Sequence, residues 1–314
     1  MRAALLPAWI AALAAALVLA GCEMAPPPDE PAVRRPQPRA ALPEPSSEQS
    51  EAVRRHFARV EADLRGRGLL RTDGGGPDTP FNARQLTEAF VRVALYDEYT
   101  SVGGRLVARQ TPSHLRRWEQ PVRVALRFGA SVPPAQRSRD RATVAGYLAR
   151  LSRVSGHPVR LSEASPNYWL YIVSEDERPR LGAEWAALFP GLDEQDLAPV
   201  TGMGMSTFCM VLAISDGESP VYSGALAVVR AELPDLLRLS CLHEELAQGL
   251  GLANDHPSAR PSIFNDDEEF ALLTRHDEFL LKILYDTRLP PGIRETEARP
   301  IVRGIVAELM GGES

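Results

Sequence analysis

The stretch Glu244-Glu245-Leu246-Ala247-Gln248-Gly249-Leu250-Gly251-Leu252-Ala253-Asn254-Asp255 holds the residues best suited to chemistry in this sequence. On a helix, residues four apart share a face, so Glu244 and Gln248 point the same way and Glu245 lies one position round. Gly251 would let the chain turn sharply and bring Asn254 or His256 back towards that face. Glu244, Gln248 and Asn254 together offer oxygens, which suit a hard divalent cation or none, because a carboxamide is a poor zinc ligand. If an ion is held there, Glu245 is the candidate general base for a metal-bound water. A plainer reading stands beside this one. Glu244 and Gln248 are then a polar pair on an exposed face, worth about a few tenths of a kcal/mol, and Gly251 and Asn254 are a helix stop and a turn.

The spacing resembles the zinc-protease helix, in which two histidines at i and i+4 bind metal and the Glu after the first acts as base. Here Glu244, Gln248 and Asn254 stand at the three ligand positions, Glu245 keeps the base position, and Leu250-Gly251-Leu252 surrounds the turn. A competing register that starts at His243-Glu244 fails, because its second histidine would fall on Ala247. Asp255, Asp266 and Asp267 are nearby carboxylates with no metal-specific spacing, and His256 and His276 are equally well read as surface or satisfied histidines. Downstream, "PSIFNDD" loosely resembles a Met-turn with Phe264 at the methionine position, which is a departure. The resemblance implies a zincin-like fold with a degenerate site. No cofactor is expected, and a divalent metal is the alternative.

The elements around this helix can be read from periodicity. "EQSEAVRRHFARVEADLRGRG" carries Val53, Phe57, Val60 and Leu64 at helical spacing, and a second amphipathic helix is expected from Asn82 to Tyr99. "VRVALRFG" reads as a strand, then Val144 to Val154 as a helix ended by Gly156. "HPVRL" and "NYWLYIVS" are further strands, and "STFCMVLAIS" and "VYSGALAVVRAEL" form a hairpin or longer β-connection. The motif helix follows, with Leu236, Leu239, Leu242, Leu246 and Leu250 as its apolar face. "RHDEFLLKILYD" is a last strong helix, and Ile301 to Met310 a short one. Strand, helix and then strands make an α+β fold, a mixed sheet with a central motif helix and C-terminal helices.

The chain ends fix an expected compartment. "MRAALLPAWIAALAAALVLAGC" has one positive charge, an uncharged apolar run and small residues before Cys22, the layout of a secretory signal. Leu19-Ala20-Gly21-Cys22 resembles the lipobox of bacterial lipoproteins, which implies lipid on Cys22 and a membrane-anchored mature chain facing the periplasm. By the same resemblance, Glu23 favours the outer membrane over inner-membrane retention. An ordinary cleaved signal is the alternative. Residues 22–47 are rich in Pro and read as an extended tether. In an oxidising compartment Cys209 and Cys241 are expected to pair, with two free buried thiols as the alternative. The formal charge of −6 argues against a nucleic-acid partner.

"CLHEELAQGLGLANDHPSARPSIFNDDEEFALLTRHDEFLLKILYDTRLPPG" resembles an uncharacterised proteobacterial lipoprotein family, the domain-of-unknown-function family numbered 2927. The likeness agrees with the lipobox and transfers no activity. The expected organisation is a signal at 1–21, the tether at 22–47, a helical N-terminal region at 48–120, a zincin-like domain at 121–292 and a C-terminal tail or helix at 293–314. The expected function is a binding or assembly module of the cell envelope, taking an envelope protein or peptide in the old active-site cleft. An atypical metal-dependent hydrolase and a purely structural lipoprotein are the rival readings.

Overall fold

The computed structural model describes residues 46–102 and 105–311. The expected signal, the expected lipidation site Cys22 and the expected tether up to residue 45 lie outside the described residues. Ser47 accepts a hydrogen bond from the Ser50 amide and so caps α1 (Glu48–Gly66), which buries Val53, Phe57 and Leu64 as its periodicity predicts. Asn82 and Gln85 close a capping box at the start of α2 (Ala83–Ala94). That helix is shorter than expected. Tyr96 to Tyr99 belong instead to β1 (Tyr96–Val102), which pairs antiparallel with β2 (Arg105–Pro112). The helical spacing of Tyr96 misled because an isolated aromatic fits either period, and strand pairing decided the outcome.

Next come β3 (Val122–Phe128), α3 (Pro134–Ser155), β4 (Val159–Leu161) and β5 (Tyr168–Val173). Gly156 ends α3 at φ 72°, the left-handed position that favours glycine. The region 178–201, which has no strong periodicity, holds two short helices, α4 (Gly182–Leu188) and α5 (Glu194–Thr201). The hairpin partners β6 (Cys209–Ser215) and β7 (Tyr222–Arg230) follow. They lead into α6 (Asp235–Gln248), α7 (Arg275–Leu284) and α8 (Glu295–Gly311). The last helix starts six residues before the expected Ile301, even though it contains Pro300.

The five-stranded sheet has the order β4-β3-β5-β7-β6. β4, β3, β5 and β7 run parallel, and β6 is antiparallel to β7 at one edge, so the fold is α+β with a mixed sheet. One face packs Val124, Leu126 and Leu170 into a large core with Leu148, Leu246 and Leu280. The other packs Tyr171, Leu226 and Val228 against Trp185, Leu197 and Val200 of α4 and α5. Phe57 and Phe90 from the N-terminal helices belong to the first core, so that region shares one core with the sheet. Among the described residues, no helix is long and apolar enough to cross a membrane.

Candidate functional site

α6 lies on the sheet with little room for error. Cys241 in its second turn is disulfide-bonded to Cys209 at the start of β6, with Cα atoms 5.9 Å apart. A Cβ on Gly249 would collide with Tyr168, so only glycine lets the helix end settle on β5. Tyr168 donates from its hydroxyl to the Glu245 carbonyl at 2.7 Å, and Tyr147 does the same to His243. Tyr168 is level with Ala225 on β7, and Ala225 with Ala213 on β6. The helix therefore runs alongside β6 from the level of Cys209 to that of Ala213. Gly251 then turns the chain at φ 127°, where a Cβ would meet the Arg116 carbonyl.

Between α6 and β6 lies a cleft of about 770 Å³. One wall is the whole of β6. The other carries Glu244, Glu245 and Gln248, and Asp97, Arg116, Asp266 and Glu268 also line the cleft. The three helix residues thus share a face, as their spacing predicts. That face is not simply solvent-exposed: Glu245 and Gln248 are buried and Glu244 half-buried. Gln248 Nε2 donates to Asp255 Oδ1 at 3.0 Å, which turns its amide N–H towards a carboxylate on the cleft wall.

The remaining candidates lie elsewhere. Asn254 is fully buried, and its Nδ2 donates to the Arg92 carbonyl at 2.7 Å while its backbone N–H donates to that of Val93. It ties the turn to the end of α2 and does not line the cleft. His256 is also outside the cleft, with Nδ1 against the Ser258 hydroxyl at 2.6 Å, and burial and then Arg92 lower its pKa. His243 is a core residue, stacked on Tyr147 at 3.9 Å. Its Nδ1 accepts from the Leu273 amide, and its pKa is pushed down to about 3, chiefly by burial. His276 and Phe264 are fully buried. Among the described residues, no group of three or more His, Cys, Asp or Glu side chains is arranged to hold a metal ion. The donor set, with one carboxamide hydrogen-bonded to a carboxylate and another buried against α2, does not fit zinc.

Two parts of the site carry no signal in the sequence. Asp97 and Arg116 reach the cleft from separate segments and pair at 2.6 Å. Glu268 also lines the cleft, at φ 58°, with its acid pushed up to about 7 by burial and by repulsion from Asp267 and Asp266. A run of four adjacent acids at 266–269 is visible, but only the fold sets a half-buried one, Glu268, against the cleft. No curated protein and no solved structure matches the chain. The model of the family described as protein of unknown function (DUF2927) matches residues 83–304, well over half of the chain, and the chain belongs to that family.

Proposed function

We propose that this is a lipid-anchored protein of the bacterial cell envelope, held through Cys22, facing the periplasm from the outer membrane. Its degenerate, zincin-like domain acts as a non-catalytic binding or assembly module, and the partner is an envelope protein or peptide. The observation that supports this reading is the cleft itself. A roomy groove runs beside the former motif helix, while Asn254 is committed to α2 and Gln248 to Asp255. A groove of this size with a few convergent polar groups is the usual form of a ligand site.

An atypical metal-dependent hydrolase is the second reading, favoured by Glu244 and Glu245 lying together on the cleft wall. In it Glu245 is the general base and Glu244 and Gln248 hold the ion, while Asn254 and His256, the other ligand candidates, lie outside the cleft. Metal content separates the two. The full-length lipoprotein, extracted in detergent without chelator or added metal, is analysed by plasma mass spectrometry. The binding reading expects background metal and no uptake of added zinc. A near-stoichiometric ion that is lost in Glu244→Ala overturns it, and hydrolase activity abolished by Glu245→Gln in a folded protein would then establish the second reading.

A further inference from the structure

The two edges of the sheet are treated differently. β4 is three residues long and carries Arg160, the short, charged form in which natural edges avoid pairing. β6, at the other edge, is seven residues of "CMVLAIS", with neither charge nor proline. Its only irregularity is a register shift at Ile214/Ser215, which leaves Cys209 to Ala213 regular. β7 pairs with one side of β6, and no described strand pairs with the other. That open side is the wall of the cleft. Met210, Leu212 and Ile214 turn to one core and Cys209, Val211 and Ala213 to the other, and every residue of the strand is only half-buried. An apolar edge with unpaired main-chain groups along a groove is a template for one more strand.

Charge selects what that strand carries. The cleft residues Asp266 and Glu268 belong to a run of four acids at 266–269, of which Glu269 is paired with Arg71 and Arg260, and among the described cleft residues Arg116 is the one cationic group, already bound to Asp97. Burial first, and then repulsion from Asp267 and Asp266, raises the acid of Glu268. We propose that the cleft takes an extended cationic segment of another polypeptide as a sixth strand on β6, with its basic side chains meeting Asp266 and Glu268. This rests on the binding reading above and names the partner's chemistry. Main-chain hydrogen bonds to β6 supply affinity, and the two acids supply selection.

The test is fluorescence anisotropy with the full-length chain in detergent and three labelled decapeptides. One alternates valine and arginine, one alternates valine and glutamate, and one is the arginine peptide with proline replacing alternate valines. The arginine peptide is expected to bind at least about tenfold tighter than either of the others. The variant Asp266→Asn/Glu268→Gln, with an unchanged Tm, is expected to lose about that factor, whereas Asp63→Asn, an exposed acid on α1, changes nothing. Equal binding of the arginine and glutamate peptides overturns the cationic partner and leaves the binding module standing. Undiminished binding of the proline peptide overturns strand addition. Failure of all three to bind overturns the proposal, and the binding reading falls with it only if the protein also carries a stoichiometric metal.

Discussion

Asn254 occupies the position from which a third metal ligand would return, yet its chemistry is that of a pin. Its amide N–H reaches the Arg92 carbonyl at 2.7 Å, in a site with no solvent access. Truncation would leave that carbonyl without its partner, so Asn254→Ala is expected to lower stability by about 1–3 kcal/mol in urea unfolding. Metal content should stay as in the parent; an Asn254→Ala protein of parental stability would remove the structural role. Glu268 gives a pH signature. Its acid is raised from near 4.5 to about 7, so the folded chain holds a proton there that the unfolded chain has released. The stability this gives is fully present below the ordinary carboxylate range and is lost as pH rises through about 7. Glu268→Gln should therefore flatten the fall in stability between those two pH values, as read from urea midpoints. A parallel slope in both proteins would assign the pH dependence to other groups.

The elements explain why the cleft keeps its shape. β6 is an edge strand with one neighbour among the described strands, and the bond from Cys209 to Cys241 fixes it to α6, thirty-two residues along the chain. Cross-linking a loop of that length restricts the unfolded chain by about 2–4 kcal/mol. The double variant Cys209→Ser/Cys241→Ser should lose that amount in urea, and reductant should then have no further effect on it. A double variant as stable as the oxidised parent would mean the bond is absent from the natural protein. At the other end of the helix, Gly249 and Gly251 are required for different reasons. The first leaves room for Tyr168, and the second adopts a positive φ against the Arg116 carbonyl. Gly251 was visible as a helix stop, but the neighbours that exclude a side chain at either glycine were not.

At the scale of the whole molecule, the N-terminal helices are part of the body that carries the cleft. Phe57 of α1 is fully buried, with its ring 5.4 Å from that of Phe208 just before β6 and beneath the Arg230 guanidinium. Phe57→Ala should cost about 3–5 kcal/mol and still give one cooperative unfolding transition, because α1 and the sheet share a core. Two separated transitions would instead show that residues 48–120 fold apart. The sequence by itself determined the strongly periodic pieces: α1, α3, the motif helix, α7, the parallel strands and the shared face of Glu244, Glu245 and Gln248. These follow from local spacing, which a single segment carries in full. The cysteine pair was legible too, on the expectation that Cys22 carries lipid and that the two remaining thiols meet an oxidising compartment. Only the tertiary structure decided that Asn254 belongs to α2, that Tyr96 joins a strand, and that "CMVLAIS" is an edge and not a buried strand. An apolar run reads the same in either place, and whether a neighbour covers its far side depends on chain far away in sequence.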